Sequence, residues 1–282
     1  MLSSWLIQWK PAPTWECPTQ QNKRQKETAM SQTEKAIRFA ELHRKGDPLV
    51  LYNIWDAAGA KALIEEDVPA VATGSWAMAA AHGYEDGESI PLDFVLRIVE
   101  RICATVSVPV SVDFEGGYAT TPAALAENTR KIIRAGAVGI NFEDRVVNGA
   151  GLHAIATQAE RIRTIRAVAD EEGVPLFINA RTDLFLGTAP ATHPGKIPDA
   201  LQRQAAYAEA GANCFFVPGL TVPDLIAQIV ESATDPVNLM MIGDLREIDA
   251  ATALGASRLS YGAGPFLQAR ADLKKAHANL RS

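Results

Sequence analysis

The sequence predicts an α/β fold, a (β/α)8 barrel, and three observations carry that expectation. From Ser31 onward, short apolar runs rich in β-branched residues alternate with longer alanine-rich stretches, and there are eight such runs. The runs are almost continuously apolar, as expected where a parallel sheet is covered on both faces. Three helical stretches end alike, in Ala135-Gly136-Ala137, Ala210-Gly211-Ala212 and Leu254-Gly255-Ala256, each with an apolar run shortly after. Glycine there suits a left-handed helix cap, and alanine lets the chain turn closely into the next strand. A doubly wound open sheet shares the alternation, but eight strands in roughly 250 residues favour closure.

In chain order, the first element is a helix at 33–45, placed beneath the N-terminal end of the barrel. The first strand, 49–54, leads to a helix at 57–66. The second, 70–73, runs into a helical segment opening at Gly74-Ser75-Trp76. Strand three, 108–112, precedes a helix at 122–135, and strand four, 138–142, a helix at 157–172. Strand five, 176–180, is followed by a helix at 199–210, and strand six, 214–217, by one at 223–230. Strands seven and eight are 237–242 and 258–261, and 264–280 is the last helix.

With 282 residues, 48% hydrophobic and 21% charged, the chain has the composition of a protein with one sizeable core. No apolar run of about 18 to 20 residues is present, so no membrane span is expected. Lys plus Arg total 27 against 33 for Asp plus Glu, without a basic run, which argues against a nucleic-acid partner. Cys17, Cys103 and Cys214 have no CxxC spacing and fit a reducing, cytoplasmic setting. The five histidines are scattered, so any metal must be held by oxygen. Residues 1–30, rich in tryptophan and then in Gln and Lys, lack a continuous secretory apolar stretch. They read as an extension, disordered or introduced by cloning, or else as a short partner-binding tail. The catalytic domain is expected to be the single barrel 31–282.

Function in such a barrel gathers at the C-terminal ends of the strands. There the sequence places Asp56, then Gly74-Ser75-Trp76 and Asp86, then Asp113-Phe114-Glu115, then Glu143-Asp144, then Arg181-Thr182-Asp183. Asp113 and Glu115 are two apart, so on an extended chain they point to one side. Two unpaired carboxylates at a barrel mouth repel each other and each resists desolvation. A hard divalent cation relieves both, and Mg²⁺ takes one or two carboxylates with waters and substrate oxygens. The alternative is that these acids are solvated or cap helices, as Asp56 and Asp183 could. Arg181 can grip a substrate carboxylate or pair with Asp183 or Glu143. The amides of Gly74, Ser75 and Trp76 could hold a carboxylate. His153, in a glycine-rich loop, is a candidate acid or base on closure. Cys103 and Cys214 read as core residues without a partner that would make a thiolate.

Taken together, Asn53-Ile54-Trp55-Asp56, Gly83-Tyr84-Glu85-Asp86, Val112-Asp113-Phe114-Glu115-Gly116-Gly117-Tyr118, Asn141-Phe142-Glu143-Asp144 and Asn179-Ala180-Arg181-Thr182-Asp183 resemble the isocitrate lyase/phosphoenolpyruvate mutase superfamily. The resemblance implies a TIM barrel whose eighth helix swaps between subunits of a homodimer or homotetramer. It implies Asp113 as the direct Mg²⁺ ligand (Mn²⁺ as a possible substitute), with Asp86, Glu115 and Glu143 supporting the ion directly or through waters. It further implies that Gly74, Ser75 and Trp76 bind the carboxylate of a small 2-oxo acid, and that Arg181 stabilises an enolpyruvate-like intermediate. The isocitrate and methylisocitrate lyases carry a Lys-x-Cys-Gly-His loop after the fourth strand, and here Glu143 to His153 contains neither Lys nor Cys. The expectation is therefore C–C cleavage of an oxaloacetate-like substrate by a lyase or hydrolase. P–C chemistry of the phosphonopyruvate hydrolase or phosphonomutase kind is the alternative, as is a catalytically silent 2-oxo-acid-binding protein.

Overall fold

The computed structural model describes residues 30–147 and 149–280, and the reading of the N-terminal extension falls outside them except for Met30. Eight strands alternate with helices: β1 (Leu49–Leu51), β2 (Val71–Ala72), β3 (Val110–Asp113), β4 (Gly139–Glu143), β5 (Phe177–Arg181), β6 (Cys214–Phe216), β7 (Val237–Met240) and β8 (Arg258–Ser260). Every neighbouring pair is parallel, and β8 pairs with β1 through Leu49 opposite Arg258, which an open doubly wound order would not allow. The remaining gap is bridged where the Ile54 amide donates to Ala72 O at 2.9 Å and the Gly74 amide to Ile54 O at 3.0 Å. The ring is a (β/α)8 barrel.

Three strands run one residue further than the apolar pattern suggests. β3 includes Asp113, β4 Glu143 and β5 Arg181, so these polar groups are fixed by the sheet ladder itself and not by loops. Helix α1 (Gln32–Glu41) carries a Ser31/Glu34 capping box and lies under the barrel. Its Gln32 amide donates to Ile133 O and Ala137 O, and Phe39 meets Phe177 edge to face with centroids 5.3 Å apart. Gly139, at the start of β4, has no room for a side chain because the Phe39 ring sits 2.8 Å from where a Cβ would be.

Helices α2 (Ala57–Ile64), α3 (Ser75–Ala81), α4 (Leu92–Thr105), α5 (Pro122–Arg134), α6 (Ile155–Glu171), α7 (Ile197–Glu209), α8 (Pro223–Ser232) and α9 (Ile248–Ala253) follow the strands. The alanine criterion does not single out α4, which instead buries Val95, Val99 and Ile102 at helical spacing. The three Ala/Leu-Gly-Ala ends do turn left-handed, with φ of 104° at Gly136, 101° at Gly211 and 87° at Gly255. The last helix, α10 (Gly264–Asn279), buries only Pro265 and Phe266, and Leu273 is 72% exposed. Among the described residues no helix is long and apolar enough to cross a membrane.

Candidate active site

A cavity of ≈ 200 Å³ opens at the C-terminal ends of the strands. Gly74, Ser75, Trp76, Asp86, Asp113, Glu115, Glu143 and Arg181 all line it. Asp113 is held at the end of β3: its amide donates to Thr73 Oγ1 at 3.0 Å, and its Oδ2 accepts from the Ser75 amide at 2.9 Å and the Ser75 hydroxyl at 2.7 Å. Its Oδ1 is buried and has no hydrogen-bond partner. A carboxylate oxygen left so is costly unless something positive meets it.

Glu115 follows in a tight turn with φ of 49°, an unusual conformation for a residue with a side chain. The turn is stabilised where Glu115 Oε2 accepts from the Glu88 amide at 2.8 Å and Oε1 from the Tyr118 hydroxyl at 2.9 Å. Burial, and then the nearby Asp113 charge, push the Glu115 carboxyl up to about 7. Glu143, buried at the end of β4, is likewise raised by burial, although Arg181 Nη1 stands 3.1 Å from its Oε2 and opposes the shift. Asp86 stands exposed at the rim, and its carboxyl is raised first by partial withdrawal from water and then by Asp113.

Arg181 uses its fork on Asp183, through Nε and through Nη2 at 2.9 Å from Oδ2, and its Nη1 on Glu143. Burial works against its charge, but the surrounding carboxylates outweigh that and hold it protonated. Two of the three amides assigned to carboxylate binding are engaged here, Gly74 with Ile54 O and Ser75 with Asp113.

His153 is not brought to the cavity. Its amide donates to Asp144 O at 2.7 Å and its carbonyl accepts from Arg203 Nη1 at 3.0 Å, which turns this end of the loop towards α7. Asp144 is the hub: completely buried, it accepts from the Asp183 amide, Arg203 Nη1 and the Tyr207 hydroxyl. Arg145, one residue on, does line the cavity.

Asn53, quoted in its strand-end motif without a role, accepts the amides of Tyr261 and Gly262 through Oδ1 and donates through Nδ2 to Thr73 O, pinning the ends of β1, β2 and β8 together. Asn141, likewise quoted without a role, and Ser260, which sequence reasoning missed, line the cavity from inside the barrel. Their signal was the interruption of otherwise apolar strands. Cys103 and Cys214 are free, and burial pushes their thiols up to about 11 and about 12, against a nucleophilic role.

Among the described residues no three His, Cys, Asp or Glu side chains form a ready-made cage for an ion. Mg²⁺ does not demand one, because it retains waters and shares substrate oxygens. The donor set, hard oxygens around one partnerless buried Oδ1, fits that ion.

A sequence model of the phosphoenolpyruvate phosphomutase family matches residues 39–281. A crystal structure from Burkholderia cenocepacia, provisionally described as a phosphonomutase, superposes with a TM-score of 0.86 at 39% identity, covering 88% of this chain and 99% of that one. The 2-methylisocitrate lyase of Escherichia coli is 31% identical over 170 residues, which is 58% of this chain and 55% of the enzyme. Phosphonopyruvate hydrolase, in a structure with oxalate and Mg²⁺, shares the fold at 20% identity, with a TM-score of 0.76 over 88% of this chain and 87% of that one. The barrel, the order of its strand-end residues and the family match lead to one conclusion: this chain belongs to the phosphoenolpyruvate phosphomutase family, within the isocitrate lyase/phosphoenolpyruvate mutase superfamily.

Proposed function

We propose that the protein is a Mg²⁺-dependent enzyme that cleaves a C–C bond in a small oxaloacetate-like 2-oxo acid. The observation that carries this reading is Asp113 Oδ1, buried and without a partner among carboxylates at the barrel mouth. Asp113 would hold the ion directly, and Asp86, Glu115 and Glu143 would support it directly or through waters. Mn²⁺ is a chemically reasonable substitute for the same oxygen donors. Bound there, Mg²⁺ would draw in the carboxylate and keto oxygens of the substrate and offset negative charge gathering on the keto oxygen.

The chain's own residues supply the rest. Arg181 lines the cavity while held by Glu143 and Asp183, so its charge faces an enolate formed by bond cleavage without having to reorganise. Trp76, lining the cavity at the start of α3, would receive the substrate carboxylate, since the Gly74 and Ser75 amides are already engaged. Arg145 reaches the cavity from the loop after β4 and would help screen the reacting centre from water. The cavity volume of ≈ 200 Å³ suits a ligand of three to five carbons, and the absence of the Lys-x-Cys-Gly-His loop argues against cleavage of isocitrate or methylisocitrate. The 39% identity to a protein described as a phosphonomutase favours P–C chemistry as the second reading.

The exposed Leu267, Leu273 and Leu280 on and beyond α10 support a homodimer or homotetramer in which this helix packs on a neighbouring subunit. Cys103 and Cys214, the free thiols among the described residues, support a cytoplasmic setting. Turnover with Mg²⁺ of oxaloacetate, an alkylmalate, 2-methylisocitrate and phosphonopyruvate tests the reading. Cleavage of oxaloacetate alone is expected, and turnover of the 2-hydroxy acids, alkylmalate or 2-methylisocitrate, would overturn the 2-oxo acid as substrate. Turnover of phosphonopyruvate alone would shift it to the second reading, and binding without turnover of any would leave a silent binding protein.

A further inference from the structure

We propose that Arg258 is a specificity-determining positioning residue, a buried cation beneath the cavity floor that fixes Asn141 as a donor and favours ligands with two acid groups over ligands with one. The inference rests on the reading of the cavity as a small-2-oxo-acid site.

Arg258 opens β8 and is completely buried. Arginine is almost never found fully buried without an acid beside it, yet among the described residues no carboxylate pairs with this one. Its Nε donates to Ser260 Oγ at 3.3 Å and its Nη2 to Asn141 Oδ1 at 3.1 Å, while its Nη1 has no partner. Both partners line the cavity, so the guanidinium stands directly behind its floor. Burial pulls its pKa down only to about 10, and it keeps its charge at neutral pH.

Two consequences follow. Asn141 Oδ1 accepts from Arg258 and also from Asn179 Nδ2 at 2.6 Å, so its orientation is set from below and the edge left for a ligand is its NH₂. A carboxylate or keto oxygen can accept from that edge, whereas a flipped amide would present oxygen to oxygen. The charge itself also acts at low local dielectric, where attraction to an anion grows in proportion to the anion's charge. A dianion therefore gains more from Arg258 than a monoanion does. Four acids line the same cavity, and this cation offsets their repulsion of a second acid group on the ligand.

The test is calorimetry with Mg²⁺ and either oxalate, a dianion, or pyruvate, a monoanion, on wild type, Arg258→Met and Arg258→Lys, with circular dichroism and Tm as folding controls. Arg258→Met should bind oxalate roughly tenfold or more weakly, with a smaller loss for pyruvate, and Arg258→Lys should recover much of the oxalate preference. An unchanged ratio of oxalate to pyruvate affinity in folded Arg258→Met would overturn the proposal, since a purely structural defect would weaken both alike. If Arg258→Met does not fold, Asn141→Asp decides: it gives the guanidinium an acid partner but removes the donor edge, and its oxalate affinity should fall. Wild-type oxalate affinity in that variant overturns the proposal. Failure of the wild type to bind either anion overturns the 2-oxo-acid reading as well, which separates the two failures.

Discussion

Ser75 holds Asp113 by one oxygen only: its amide and its hydroxyl both donate to Oδ2, at 2.9 and 2.7 Å, and Oδ1 is left buried without a partner. The residue after β2 thus orients the carboxylate at the end of β3 so that a single oxygen is presented. Preorganisation of this kind determines the affinity of a metal-binding oxygen as much as its charge does.

Ser75→Ala removes the hydroxyl donor and keeps the amide. A hydrogen bond to a charged group is worth about 1.5–3 kcal/mol, so Tm should fall by several degrees, and Mg²⁺-dependent oxalate binding should weaken as the Asp113 carboxylate loses its fixed orientation. Calorimetry beside a thermal melt checks this.

Asp144 is structural in a way its neighbour Glu143 is not. It joins the backbone at Asp183 to Arg203 and Tyr207 on α7. Asp144→Ala should cost about 3–5 kcal/mol, because it leaves a buried arginine short of its partner. Denaturant unfolding should show the loss as a lower midpoint.

The loop after β4 divides between Arg145, which lines the cavity, and His153, whose main chain is tied to Asp144 and Arg203. Arg145→Ala should lower kcat of the proposed oxaloacetate cleavage more than it weakens oxalate binding, whereas His153→Ala should turn over close to wild type. Steady-state kinetics on both variants separates the two residues.

The eight strands and the acids at their ends were legible because each strand is a local apolar run and each acid follows its own run directly. Arg181 was legible for the same reason. The Asp144–Arg203–Tyr207 hub was not, since its members are brought together only by the packing of α7 onto the barrel. Arg258 was hidden by register: nothing local says whether the first residue of a short strand points into the barrel or out, and pairing opposite Leu49 and Asn238 settles it. His153 was a candidate only on loop closure, and a glycine-rich loop shows in sequence that it can turn, but not which way its last residue faces.

His43 supplies a pH dependence away from the active site. Stacked on Phe177 at 4.0 Å and donating through Nδ1 to Phe39 O, it is held neutral, its pKa lowered to about 3 by burial and by Arg258. The unfolded chain takes up that proton below about 6.5 and the folded one does not. The contribution is therefore complete above that pH and is lost as pH falls towards 3. At pH 5 the loss amounts to about 2 kcal/mol. His43→Phe should flatten the fall in stability between pH 7 and 5 relative to wild type, read by denaturant titration at each pH; parallel curves would contradict this.

Anchoring of a divalent ion by Asp113, with a 2-oxo acid bound on it, is read by calorimetry of oxalate in the presence and absence of Mg²⁺ on wild type and Asp113→Asn. Oxalate binding by the wild type is expected only when Mg²⁺ is present, with none by a folded Asp113→Asn under the same conditions. Equal oxalate affinity in the two proteins, or binding by the wild type that is indifferent to Mg²⁺, would contradict it.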